Sequence, residues 1–140
     1  MTSDTAILAV ERFLAVPFVL IGLSHVLQPK LWIDFFERLE AQGRSATIWR
    51  TFTLELWPAV LIVGFHQDWS WPGVLLTIYG HALLLKISLS LLAPDLGRGS
   101  LGLATAWDGM GMQIAGLILV GLGLLCARNV LAQAASIDLT

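Results

Sequence analysis

The chain lacks most of what a soluble enzyme of its size carries. Only 13% of its 140 residues are charged, and its single cysteine, Cys126, excludes an internal disulfide. It has no block of basic residues and a net charge of only -2, which argues against a nucleic-acid-binding surface. It has no phosphate loop, nucleophile triad, paired-carboxylate pattern or diagnostic metal-ligand spacing. We therefore expect no catalytic residues, no metal site and no catalytic activity of its own.

Apolar residues are what the chain has in excess. They make up 56% of the sequence, and the mean hydropathy is +0.78. A helix needs about 20 apolar residues to cross a bilayer, and the length allows four such helices with short connections. The sequence therefore predicts an all-α membrane protein, a four-transmembrane-helix bundle that forms a single domain over residues 1–140. The predicted spans are residues 5–28, 47–66, 72–92 and 101–127.

A different pattern separates the first two spans. Over residues 30–42, apolar side chains recur on one helical face and charged side chains occupy the other. The apolar residues are Leu31, Trp32, Phe35, Phe36 and Leu39. This pattern predicts a short amphipathic helix that lies in the membrane interface. Glu11 and Arg12 fall in the first turns of the first span, so we expect them to snorkel to the membrane surface at which that span begins.

Glycine follows a strict spacing in the last span. Gly102, Gly109, Gly116 and Gly123 are each seven residues apart, which returns them to one helical face every two turns. A bare seam of this kind lets a second helix approach closely in a membrane. We therefore predict that these four glycines pack against a neighbouring helix.

Ionisable side chains are rare in the spans, and several of them fall at similar depths. Counted from one membrane surface, His25, Glu55, Lys86 and Asp108 lie within one to a few turns of each other. Buried ionisable groups in membranes are costly and commonly functional. We predict a ligand-binding cavity formed by His25, Glu55, His81, Lys86 and Asp108. The alternative is a structural salt bridge with a snorkelling lysine and an interfacial histidine.

Cofactors can be weighed from the same residues. His25 and His81 differ in depth by about 12 Å, which argues against a haem held between them. A single-histidine pigment or haem at His81 is not favoured, because lone membrane histidines are usually packing residues. A quinone needs only an apolar slot and one or two hydrogen-bond donors, which these side chains provide. Quinone or lipid is therefore the preferred bound molecule.

Short motifs give the chain a family resemblance. Gly22-Leu23-Ser24-His25, the following Pro29, Trp32, Phe35 and Phe36, the early Glu55 of the second span and the glycine-rich last span resemble the DoxX-like family of small four-helix bacterial membrane proteins. The resemblance implies a four-helix bundle in which His25, Pro29 and Glu55 are motif positions. It also implies a role as the membrane subunit of a thiosulfate:quinone oxidoreductase, or as the membrane partner of soluble redox enzymes.

Two functional hypotheses follow. We favour an accessory or structural subunit of a membrane redox complex, which contacts other membrane subunits or further copies of itself, because the chain has no redox group of its own. The alternative is a protein that binds a lipophilic, quinone-like molecule, as an oxidoreductase membrane subunit would. We expect the bacterial cytoplasmic (inner) membrane as its location. Basic residues between the first two spans place both termini outside by the positive-inside rule.

Overall fold

The computed structural model describes residues 3–93 and 109–137, and within these ranges the regular structure is helical, with no strand. Four helices are long and apolar enough to cross a membrane, as predicted. They cover Asp4–Leu27, Ile48–Phe65, Val74–Leu92 and Met110–Ala135. The protein is therefore an all-α, four-helix membrane bundle, and its apolar helices contact the lipid bilayer.

The helices are named in chain order. They are α1 (Ser3–Leu27), α2 (Pro29–Ala41), α3 (Arg44–Arg50), a π-helical turn (Thr51–Glu55), α4 (Leu56–Phe65), α5 (Val74–Leu92) and α6 (Met110–Ile137). The second span is thus built from α3, the π turn and α4 together.

The last helix differs in its bounds from the predicted span at residues 101–127. Gly109 forms a turn with φ +93°, and α6 begins at the next residue. At its other end α6 continues to Ile137, because the residues that follow Cys126 include several good helix formers and no glycine or proline. Residues 101–108 lie outside the described part of the chain.

The closest helix pair joins the two ends of the chain. α1 and α6 run antiparallel, and a methyl group on Gly22 would lie only 2.6 Å from the Gly116 carbonyl oxygen. Gly123 lies in the same way against the backbone of Ala15 and Val19. Two of the four predicted seam glycines therefore form the α1–α6 contact. Gly109 precedes the helix, and Gly102 lies outside the described residues.

The second helix pair is α4 and α5, which also run antiparallel. Gly80 of α5 leaves room for Ile62 of α4. The two pairs meet in a core where Leu14 and Phe18 of α1 pack with Ile62, and where Phe18 makes an edge contact with the ring of Tyr79. Cys126 is fully buried in this core as a small apolar residue.

The amphipathic helix α2 closes one end of the bundle. Its charged residues Asp34, Glu37 and Arg38 are exposed. The Trp32 indole donates a 2.9 Å hydrogen bond to Ser24 Oγ of α1, which fixes α2 against the first span.

Candidate ligand-binding site

The second span contains a widened turn near its start. In the π turn, the Leu56 N–H bonds to the Thr51 carbonyl, five residues back. Pro58 follows two residues later, and it has no N–H to give to Leu54 in the α-helical pattern. A single π turn accommodates such a break, and π turns of this kind are frequent at functional sites.

Arg50 and Glu55 lie on one face because of this turn. In an α-helix, residues five apart point roughly 140° away from each other, whereas the i to i+5 repeat of a π turn brings them closer to alignment. Arg50 Nε lies 3.9 Å from Glu55 Oε1, within ion-pair range but too far for a hydrogen bond. The other contact of the guanidinium is with the ring of Phe36 in α2, 5.6 Å from the ring centroid.

Lys86 of α5 completes the charged group. Its Nζ donates a 2.8 Å hydrogen bond to Glu55 Oε1, the oxygen that also faces Arg50. The Lys86 side chain is 39% exposed, whereas that of Arg50 is only 7% exposed. The charged group is therefore closed at Arg50 and open to the bundle surface at Lys86.

Two buried hydroxyls belong to the same region. Ser90 is one helical turn beyond Lys86, and Thr51 is one turn before Glu55. Because α4 and α5 are antiparallel with Glu55 opposite Lys86, the same register brings Ser90 level with Thr51. Both residues are fully buried.

Several polar atoms of this region are buried without a hydrogen bond. Among the described residues, the following have no hydrogen-bond partner: Arg50 Nε and Nη2, Thr51 Oγ1, Glu55 Oε2 and Ser90 Oγ. A buried polar group left unpaired costs about 1–3 kcal/mol. Three of these residues can donate hydrogen bonds and Glu55 can accept one, so a polar molecule here would find both kinds of partner. We call Arg50, Thr51, Glu55, Lys86 and Ser90 the polar site.

Of the five predicted ligand-binding residues, Glu55 and Lys86 are brought into direct contact. His25 lies apart from them, buried in α1, where its Nδ1 is 2.7 Å from the Ile21 carbonyl oxygen and its ring stacks on Trp32 at 4.3 Å. Trp32 in turn contacts Phe36 of α2. Aromatic rings of α2 therefore stand between His25 and Arg50.

His81 is exposed on the opposite half of α5. Its Nδ1 is 2.8 Å from the Thr77 carbonyl oxygen, and its ring lies 5.6 Å from that of Trp69 in the connection after α4. Asp108 lies outside the described residues. Arg50, Thr51 and Ser90 were not among the predicted site residues. In a regular α-helix Arg50 would point away from Glu55, so the sequence did not indicate it as a site residue. The feature of the sequence that indicates a break in the α-helical pattern is the proline after Glu55.

A second buried polar cluster ties all four spans together at the other end of the bundle. Glu11 of α1 is 2% exposed, so the prediction that it snorkels to the interface is wrong, whereas Arg12 is exposed. Asn129 of α6 donates a 2.7 Å hydrogen bond to Glu11 Oε1, and His66 Nε2 lies 3.4 Å from the same oxygen. His66 Nδ1 is 3.1 Å from Thr77 Oγ1 of α5. Helix depth places these residues at a similar level, but only the packing of the helices brings them into contact.

The hydroxyl of Thr77 fixes the proton position on His66. Thr77 Oγ1 donates its single proton to a backbone carbonyl, that of Asp68 at 2.8 Å or that of His66 at 3.2 Å. Towards the imidazole it must therefore accept, so His66 Nδ1 carries a proton.

The connection between α4 and α5 has its own polar turn. Asp68 Oδ1 accepts hydrogen bonds from the Ser70 N–H at 2.9 Å and from the Ser70 hydroxyl at 2.6 Å. Partial burial of the carboxyl raises its pKa, but the two bonds from Ser70 outweigh this effect and leave the pKa of Asp68 below its ordinary value.

Metal binding finds no support in the described ranges, 3–93 and 109–137, where no three His, Cys, Asp or Glu side chains are grouped to hold an ion. Compared with models of protein families, with curated proteins and with solved structures, the chain has no significant match. The resemblance to the DoxX-like family therefore stays a prediction.

Proposed function

We propose that this membrane protein binds a small lipophilic molecule by its oxygen-bearing end, at the polar site. The observation that supports this function is a group of buried polar atoms on Arg50, Thr51 and Ser90. Within the described part of the chain these atoms have no hydrogen-bond partner, and they belong to the same polar site as the Glu55–Lys86 pair. Buried polar groups in proteins are paired as a rule, so an unpaired group of this size favours a bound molecule.

A quinone-like molecule has the required chemistry. Its carbonyl oxygens accept hydrogen bonds, which the Arg50 guanidinium and the two hydroxyls can donate. In its reduced form a quinol also donates, and Glu55 Oε2 is available as an acceptor. The open edge at Lys86 gives such a molecule a route from the lipid.

Mass spectrometry of the intact particle, purified in mild detergent, tests this function. The wild type should carry a small molecule that Arg50→Lys reduces, because lysine keeps the charge but loses the planar fork. Arg128→Gln is the matched control, since Arg128 is an exposed arginine near the opposite end of the bundle. A wild-type particle without a bound small molecule, or equal occupancy in Arg50→Lys, would contradict the proposal.

The same purification bears on the other hypothesis. An accessory subunit of a membrane redox complex would bring further protein subunits with it, and this role stays a prediction. We place the chain in the bacterial cytoplasmic membrane with both termini outside, on the support of its basic residues between the first two spans. The antiparallel α1–α6 pair is consistent with termini on one side.

A further inference from the structure

The charges of the polar site do not cancel among the described residues. Arg50 and Lys86 carry two positive charges, and both face a single carboxylate, Glu55. Arg50 is almost fully buried, and a buried charge that lacks full compensation is costly in apolar surroundings. A neutral quinone would satisfy hydrogen bonds here but would leave one positive charge uncompensated among residues 3–93 and 109–137.

The unpaired atoms of Arg50 have a particular shape. Nε and Nη2 lie on the same edge of the guanidinium, and they form the fork that binds two oxygens of one anion side by side. Glu55 does not fill this fork, because Oε1 is 3.9 Å from Nε and is already bonded to Lys86. The hydroxyls of Thr51 and Ser90 are two further, uncharged donors at a similar depth in the bundle.

We infer that the ligand is an acidic amphiphile whose oxyanion, a carboxylate or a phosphate, binds the Arg50 fork. This inference rests on the proposed ligand-binding function and names the chemical class of its ligand. One negative charge on the ligand balances the surplus charge of the described site residues, and its two oxygens match Nε and Nη2 of Arg50.

The position of the site in the membrane suits such a molecule. Arg50 and Glu55 lie about 3 Å and about 10 Å from the start of the second span, counted along the helix. A headgroup at this depth leaves its chain in the hydrocarbon core, which is about 30 Å thick. Phe52 and Leu89, on the two helices that carry the site, are exposed and offer an apolar surface to that chain.

The test measures binding of matched probes to the full chain in neutral phosphatidylcholine nanodiscs. The probes are dodecanoate, its methyl ester, dodecyl phosphate, a short-tailed neutral quinone and inorganic phosphate. The ester keeps the chain and both oxygens of the acid but removes the charge. We expect dodecanoate or dodecyl phosphate to bind at least about tenfold more tightly than the ester or the quinone.

Two variants should change the affinity for the acid in opposite directions. Arg50→Lys should weaken binding of the acid about tenfold, because the charge remains but the paired donors are lost. Glu55→Gln should strengthen binding of the acid about tenfold, because it removes a like charge and releases Lys86 to the ligand. A neutral ligand has no charge repulsion with Glu55 to lose, so its affinity should rise by less than that of the acid in Glu55→Gln. Arg128→Gln again serves as the control and should leave all affinities unchanged.

Each outcome separates this inference from the function on which it rests. If the acid and its ester bind equally well, or if Glu55→Gln weakens binding of the acid, the inference that the ligand carries an oxyanion is wrong. The site would then bind a neutral ligand. If inorganic phosphate binds as tightly as dodecyl phosphate, the site recognises an oxyanion but not an apolar chain, and the inference of an amphiphile is wrong. If no chain-bearing probe binds and the purified particle carries no small molecule, the proposed function fails as well.

Discussion

Asn129 and Glu11 join the last span to the first through a 2.7 Å hydrogen bond between residues 118 positions apart in the chain. The carboxylate that accepts this bond is buried, and its other partner is His66. Asn129 and His66 therefore meet at one carboxyl oxygen, and His66 links this pair to Thr77 of α5. We expect this cluster to stabilise the fold.

Replacing Asn129 with leucine should destabilise the fold by about 1–3 kcal/mol, because the buried Glu11 carboxyl then loses the shorter of its two contacts, the hydrogen bond from Asn129. Reversible unfolding in mixed detergent micelles measures the change. The exposed neighbour provides the comparison, since Arg128→Leu should stay within about 0.5 kcal/mol of the wild type. Similar losses in the two variants would show that the hydrogen bond contributes little.

The glycines of α6 offer a matched pair for the second prediction. A methyl group on Gly116 would lie 2.6 Å from the Gly22 carbonyl oxygen, whereas one on Gly121 meets nothing within 4 Å. We expect Gly116→Ala to cost about 1–3 kcal/mol through separation of α1 and α6. Gly121→Ala should be neutral or slightly stabilising, because alanine favours the helix more than glycine does. The free energies of unfolding of the two variants test this prediction. Equal values would argue against close packing at Gly116.

The third prediction concerns the π turn. Pro58 removes the N–H that would extend regular α-helix back toward Leu54, so Pro58→Ala should let the turn tighten to α-helical geometry. Arg50 would then rotate away from Glu55, although no polar side chain has been changed. We expect ligand affinity to fall roughly tenfold, because the ligand would lose one charge-assisted hydrogen bond to Arg50. Thermal stability should be maintained.

Affinity in Pro58→Ala is measured in nanodiscs with the probe that the wild type binds most tightly. Pro17→Ala is the control, since it removes a proline from α1, away from the polar site. Unchanged affinity in Pro58→Ala would mean that the π turn does not depend on the proline.

The fourth prediction is a pH dependence at Asp68. Its two bonds from Ser70 lower its pKa in the folded protein, so the folded state favours the ionised form. The stabilisation is present above the unfolded pKa of about 3.9 and is lost as pH falls through the lower folded value. Ser70→Ala should therefore be less stable than the wild type at neutral pH, and the difference should shrink in acid. A difference that grows in acid would contradict this assignment.

Much of the fold could be predicted because lipid imposes it. Apolar runs of about 20 residues specify membrane helices through length and composition alone. The apolar and charged faces of α2 specify an interfacial helix.

The Glu55–Lys86 pair could be predicted only in part. Helix depth predicted that the two side chains lie level, but depth says nothing about rotation around the helix, so it could not predict that they would make contact.

The sequence by itself determined four apolar helices, the amphipathic helix α2 and the depth of each ionisable residue, because these follow from composition and from a fixed rise per residue. Tertiary structure alone decided which side chains face each other. The π turn moved Arg50 onto the face of Glu55, and the antiparallel α1–α6 contact buried Glu11 beside Asn129. Both outcomes depend on helix rotation and pairing, which are set by packing between residues far apart in the chain.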